Sequence, residues 1–292
     1  MDGSPSKNKK NLHPLAIVDA IQNILDYRYC KSYHFKNPKS LGRVAFTALC
    51  LGCTLMFHIL LIVYVIIYTM SYDDIDVTAN RNNFHEHKIM LSIVLQWSTY
   101  FLLLCSFHIL EFFTTALNED DELSNNSFVV NHSKEYTIAA TFSWLEFWFT
   151  SYLQYNNLLP YNKLHYFWYY CGIFLVILGQ FIRSYAMLSC GKNFSHLIMT
   201  QKRDDHRLVT NGIYSILRHP SYFGFFYWSI GTQILLANPI SFLLYAVSSW
   251  YFFYGRIPIE ESTLYEFYGN EYKKYCRKTY VGIPFLKSSQ MA

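Results

Sequence analysis

Charge is what this chain has least of. Asp, Glu, Lys and Arg together make up 15% of its 292 residues, well under the roughly 25% of soluble domains. Beside 52% hydrophobic residues and a mean hydropathy of +0.10, that scarcity excludes an ordinary water-soluble surface. The net charge of +4 is too small for the basic footprint of a nucleic-acid binder, so no nucleic-acid partner is expected. Short alternating strands are missing as well, which argues against a membrane β-barrel. The basic N-terminus has no apolar h-region or cleavage site, so no removable signal peptide is expected. The final Ser-Ser-Gln-Met-Ala carries no lipidation box. The seven cysteines offer no second pair for zinc, and Cys50 and Cys53 lack the context of a redox motif. They read as small packing residues, and no metal is expected.

What is present is a succession of long apolar stretches with 19% aromatic residues. These predict an all-α, polytopic membrane protein with about six transmembrane helices. Four are expected near residues 43–70, 88–117, 136–155 and 166–188. Two shorter ones follow, at 221–236 and 240–255. Asn238-Pro239 joins them, so this last pair reads as a helical hairpin. Its turn can sit at membrane depth only where protein or water satisfies the freed backbone groups.

Three regions follow from this pattern: a basic leader over 1–42, a four-helix transmembrane region over 43–188, and a polar-then-apolar region over 189–292. Within the leader, Leu12–Tyr29 could lie on the membrane surface. The tail from Arg256 onward mixes charge with aromatics and is expected as an amphipathic helix on the cytosolic face. An even number of spans puts both termini on one side. The Lys and Arg of the leader, of 189–220 and of the tail make that side cytosolic. The sequons at Asn125, Asn131 and Asn193 would then stay unmodified.

Glu111, Glu146 and Arg183 are ionisable residues at or near membrane depth, where such groups are costly and usually paired. Each glutamate reads either as a structural ion pair or as a group snorkelling near an interface. Arg183 could equally offer its guanidinium fork to an anionic substrate group. His108 and Glu111 stand one turn apart, a weak metal pattern for which packing or a hydrogen bond is the simpler reading. His85 and His87 are assigned to a loop, beside the acidic Asp73, Asp74 and Asp76.

One stretch is dense in polar chemistry and flanked by apolar segments: HRLVTNGIYSILRHPSYFG, His206–Gly224. Together with GKNFSH (Gly191–His196), GTQILLANP (Gly231–Pro239), Arg256, the pair Glu260-Glu261, FYGNEYKKY (Phe267–Tyr275) and GIPF (Gly282–Phe285), it resembles the isoprenylcysteine carboxyl methyltransferase family, most closely its fungal members. The likeness is strong over roughly the last hundred residues. It is weaker over FHILEFF (Phe107–Phe113) and LGQFIRSYAM (Leu178–Met187). The RHPxYxG-plus-EE half is shared with phospholipid methyltransferases and, more loosely, with sterol reductases. Ile213 departs from the proline that many of those proteins carry after the glycine.

The resemblance implies a catalytic region over 189–292, with S-adenosyl-L-methionine as methyl donor. The acceptor would be the C-terminal prenylcysteine of CaaX-processed proteins, such as small GTPases and lipidated peptide pheromones, at the endoplasmic reticulum membrane. Matched one by one, the cofactor contacts fall at His206, Leu208, Val209, Tyr214, His219, Pro220, Tyr222 and Glu260. Arg256 falls at the position facing the substrate, and Arg183 is expected to join it as a second holder of the acceptor carboxylate.

The residue types suit these roles. Pro220 fits the first turn of a helix, and His219 before it is biased away from helix. The N–H groups of Ser221 and Tyr222 at a positive helix end could receive an anion. Tyr214 and Tyr222 could flank an adenine or approach a sulfonium. Glu260 could bind ribose hydroxyls or an amino group. The competing readings are a phospholipid methyltransferase, an NADPH-dependent oxidoreductase of the sterol-reductase type, and a non-enzymatic channel or scaffold, which leaves the polar stretch without a purpose.

Overall fold

A computed structural model describes residues 37–72, 81–118, 123–130, 134–161 and 163–286. The leader helix expected at 12–29, the acidic residues Asp73, Asp74 and Asp76, and the sequon Asn131 lie outside these residues. The described chain is helical: α1 Leu41–Tyr72, α2 Arg81–Leu117, α3 Lys134–Tyr155, α4 Lys163–Cys190, α5 Pro220–Leu235, α6 Pro239–Tyr268 and α7 Asn270–Cys276. Among the described residues there is no strand, only one parallel bridge between Leu217 and Tyr280.

Three stretches are long and apolar enough to cross a membrane: Leu41–Ser71, Glu86–Leu117 and Leu164–Asn193. Each exceeds the roughly 20 residues a crossing needs. α1 turns Leu49, Phe57, Leu60, Tyr64 and Ile67 outward, as lipid-facing residues do. α5 is 16 residues long, about 24 Å at the helical rise, and α6 carries four ionisable groups in its second half.

Two expectations need correcting. His85 and His87 lie within α2 rather than in a loop. The sixth helix does not stop at Gly255. It runs 30 residues to Tyr268, through Pro258, and ends at Gly269 with φ +55. The end of an apolar run marks where lipid contact ends, not where a helix must. Ile257 and Glu261 stay buried on the inner face and carry the helix onward.

α4 and α5 pack most closely, through glycine. A Cβ at Gly179 would come within 2.6 Å of the Gly224 carbonyl, and one at Gly224 within 2.7 Å of the Arg183 backbone nitrogen. Gly172 and Gly231 repeat the device along the same seam. Small residues let helix backbones approach where apolar burial gives no drive between helices.

The turn between α5 and α6 is held by buried polar groups. Gln96 Nε2 donates to the Leu235 carbonyl (2.6 Å) and Asn238 Nδ2 to that of Ser143 (2.9 Å). The Glu146 carboxylate accepts from the backbone N–H groups of Ile240 (2.8 Å) and Ser241 (2.7 Å). Glu146 is thus an anionic cap on the start of α6, where the helix dipole favours negative charge. His108 binds the Phe128 carbonyl through Nδ1 (2.9 Å).

Candidate active site

The cavity opens where the Gly191–His219 segment crosses the start of α5 and the second half of α6. It is a cleft partly open to solvent, lined by both polar and apolar side chains. His206, Leu208 and Val209 line it from the loop, and Tyr214 from a short 3-10 turn. His219, Pro220, Ser221 and Tyr222 line it from the head of α5, and Glu260 from α6. All nine residues expected to hold a cofactor therefore face one space. Arg256 and Arg183 are not in its wall.

The head of α5 forms as its sequence dictates. Pro220 occupies the first helical position, and His219 caps it with φ −125 and ψ 57. One expectation changes: the Tyr222 N–H is not free, because it donates to the His219 carbonyl (3.1 Å).

His219 lies between two carboxylates. Its Nε2 stands 3.2 Å from Glu261 Oε1 and its Nδ1 3.7 Å from Glu260 Oε1. Burial by itself would lower the imidazole pKa, but the two carboxylates outweigh it and raise it above the ordinary 6.5. Burial likewise opposes ionisation of the glutamates, yet both are lowered. His219 and Tyr222 hold Glu260 down. His219 and Arg218 bring Glu261 to about 2. The cluster is a buried set of charges in which each ion is paired.

Arg218 completes it from behind. Its Nε donates to Glu261 Oε1 (2.6 Å) and its Nη1 to the Thr279 carbonyl (2.7 Å). Its backbone pairs with Tyr280, and Tyr275 Oη donates to the Tyr214 carbonyl (2.7 Å). The C-terminal segment therefore clamps the cavity's loop wall. Glu261 was legible only as half of an acidic pair; its partners come from segments 42 and 43 residues away.

Arg256 reaches the cavity indirectly. Its Nε donates to Tyr222 Oη (2.8 Å), and that hydroxyl donates to Glu260 Oε2. Its Nη2 donates to the His196 carbonyl. Its guanidinium also lies over the Tyr222 ring, 5.6 Å from the centroid.

Arg183 is committed elsewhere. Nε and Nη2 close a two-pronged bond on Glu111 at 2.6 and 2.7 Å, and Nη1 donates to Ser221 Oγ at 3.0 Å. Phe107 and Phe225 enclose the guanidinium. Its fork, expected for an acceptor carboxylate, is filled by Glu111. Sequence reasoning also passed over Cys190, Asn193, Tyr268, Tyr272 and Tyr275, which line the cavity. Asn193, Tyr268, Tyr272 and Tyr275 stood inside quoted motifs, and Cys190 lay just before one.

With this geometry in view, the comparisons are decisive. Residues 172–266 match the isoprenylcysteine carboxyl methyltransferase (ICMT) family. The chain is 43% identical over 207 residues to a protein-S-isoprenylcysteine O-methyltransferase of Xenopus laevis, covering 70% of each chain. The chain belongs to this family. A Dictyostelium discoideum relative of the same name is 44% identical over 62% of this chain and 74% of its own. Neither is fungal, so these matches do not single out the fungal branch. A solved structure of a eukaryotic intramembrane Ras methyltransferase of this family superposes with a TM-score of 0.71 at 33% identity. That match covers 92% of this chain and 87% of the solved one. The family's span begins at Gly172, so it includes the α4–α5 glycine seam as well as the cavity.

Proposed function

We propose that this protein methylates the C-terminal α-carboxylate of prenylcysteine on CaaX-processed proteins, using S-adenosyl-L-methionine. The observation that carries the reading is the convergence on one cavity of eight residues matched one by one along the sequence, with Ser221 beside them. The lining suits the donor: Leu208, Val209 and Leu264 give apolar walls, Glu260 an acidic group, and Tyr222 an aromatic face. His206 Nδ1 is buried in the lining without a hydrogen-bond partner among the described residues.

When bound, the donor supplies an electrophilic methyl group on a sulfonium. An α-carboxyl has an unperturbed pKa of about 3.5 and is already ionised at neutral pH, so no general base is needed. The chain's task is to exclude water and align two groups, and alignment alone can supply several kcal/mol. His219, held toward its protonated form by Glu260 and Glu261, is an orienting cation and not a base. Glu260, fixed by Tyr222, presents an acceptor for the donor's ribose hydroxyls or amino group. Arg256 is tethered by Nε to Tyr222 and by Nη2 to His196, which leaves Nη1 for the acceptor carboxylate. Arg183 positions Ser221 at the cavity floor and does not touch substrate.

A phospholipid methyltransferase is the closest competing reading. Its amine acceptor would have to lose a proton, and the imidazole at the cavity is the wrong protonation state to take one.

We read the chain as three regions: a leader over 1–42, four membrane helices over 43–188, and a catalytic region over 189–292. α3, α5 and α6 join the three membrane-length helices to give six crossings, with α5 and α6 as a hairpin. The bonds from Gln96, Asn238 and Glu146 support a turn at membrane depth. Both termini and the cavity face the cytosol at the endoplasmic reticulum, and small GTPases and lipidated peptide pheromones are the expected acceptors.

The test is transfer of a radiolabelled methyl group from S-adenosylmethionine to N-acetyl-S-farnesylcysteine by membranes containing the protein. Labelled ester supports the reading. Labelled phospholipid with no ester would overturn it.

A further inference from the structure

Beyond α7 the C-terminal segment packs along α5 and α6. Val281 and Ile283 turn inward and join Phe226, Phe253 and Ile257 in one buried cluster. The Pro284 carbonyl then accepts from Trp250 Nε1 (2.8 Å). Trp250 stands six residues before Arg256 on α6, about 9 Å closer to the α5–α6 turn at the helical rise. The segment therefore runs past the level of Arg256 toward that turn.

The stretch of α6 that it reaches has an apolar outer face. Leu243, Val247, Tyr251 and Tyr254 recur at helical spacing and are all exposed. The Trp250 ring stacks on Tyr254, with centroids 5.1 Å apart. Trp and Tyr gather where a membrane meets water.

The outward side of the segment has matching chemistry. Phe285, next to Pro284, is 93% exposed and has φ +61, a left-handed conformation that is unusual for a bulky residue. A turn closed by the Leu286 N–H on the Ile283 carbonyl presents its ring. Tyr280 is exposed too, as is Ile216, whose carbonyl accepts from the Tyr280 N–H (2.9 Å). Between Tyr272 and Leu286 there are four basic residues and no acidic one, and Lys274, Arg277 and Lys278 are exposed. Outward rings beside unopposed positive charge suit the anionic face of a lipid bilayer.

We propose that residues 277–286 form an interfacial foot, with Phe285 seated among lipid chains and Arg277 and Lys278 against anionic headgroups. This rests on the reading of α6 as a membrane crossing. The Tyr280 carbonyl, on the same segment, accepts from the Arg218 N–H (3.0 Å). The membrane surface thus steadies the cavity's loop wall through the segment that clamps it.

Photocrosslinking of the full chain in nanodiscs of radiolabelled phosphatidylcholine, with and without phosphatidylserine, tests it. p-Benzoylphenylalanine replaces one residue at a time: Phe285, Val247 on the outer face of α6, or Asp204 in an exposed loop. Yields are taken on the monodisperse gel-filtration fraction, so misfolded protein is not counted. Lipid adducts should form at 285 and 247 and stay at background at 204. With phosphatidylserine present the yield at 285 should rise about twofold or more, and Arg277→Gln with Lys278→Gln should remove that rise. Adducts at 247 but not at 285, or adducts at 285 to a second protein chain, would overturn the foot. A yield at 285 indifferent to phosphatidylserine would overturn the anionic surface as its seat. Adducts at neither 247 nor 285 would overturn the crossing of α6, and the foot with it.

Discussion

Glu260 and Glu261 are adjacent in sequence and serve opposite sides of the site. Glu260 faces the cavity and accepts from Tyr222, while Glu261 turns inward to Arg218, 2.6 Å away. Successive residues of a helix point about 100° apart, so a helix passing beside the cavity gives the first carboxylate to the cavity and the second to the scaffold. His219 touches both and couples the two roles.

That division predicts distinct mutant behaviour. Glu260→Ala should weaken donor binding by tenfold or more, while Arg256→Ala should raise the acceptor KM by a similar factor. Because Arg256 also steadies Tyr222, a loss of donor affinity up to about threefold is expected in that variant. Steady-state kinetics with both substrates varied, beside direct donor binding, separates the two. Equal loss of donor and acceptor use in both variants would contradict the split.

The pH profile should be one-sided. The raised His219 pKa adds stability that is complete below 6.5, the value in the unfolded chain, and is lost as pH rises through the folded value. The lowered glutamates add stability present above about 4.5 and lost as pH falls, with Glu261 holding to about 2. Donor affinity should therefore weaken on the alkaline side first. His219→Gln should flatten that limb in a binding titration.

Glu111 and Arg183 form a buried, two-pronged pair. Removing one partner of such a pair leaves an uncompensated charge and costs about 3–5 kcal/mol. Glu111→Ala should sharply lower the thermal midpoint in detergent. Arg183→Lys should not restore it, since an ammonium cannot close both bonds. If Arg183 instead held substrate, Glu111→Ala would leave the midpoint near that of the unmutated protein.

Gly224→Ala should be more damaging than its single methyl suggests. The new carbon would meet the Gly179 carbonyl at 2.6 Å and the Arg183 backbone, distances that force α4 and α5 apart. Ser221 and Tyr222 sit one turn away, so donor affinity should fall together with stability. Gly255→Ala, with nothing within 4 Å, is the matched control.

The cytosolic orientation proposed above predicts that no glycan is added at Asn125 or Asn193. In the fold both asparagines are engaged. Asn125 Oδ1 accepts from Thr47 (2.6 Å) and Asn193 Oδ1 from the Arg207 N–H (2.9 Å). An endoglycosidase mobility shift after expression in eukaryotic cells would overturn the topology.

Much of this protein was legible in its residue order. Apolar runs placed α1, α3, α4 and α5 to within a few residues, because hydropathy and length govern what can enter a membrane. His206–Gly224, with Glu260, marked the cavity because its residue types carry the chemistry wherever they are placed. The extent of α6 was not legible, since burial of Ile257 and Glu261 against other segments decided it. Nor was the role of Arg183. An isolated arginine is a free fork, and only packing of α2 on α4 brings Glu111 to fill it. The same holds for Arg218 with Glu261 and for the α4–α5 glycine seam. Each depends on distances between segments far apart in the chain, and local sequence has no means of setting these.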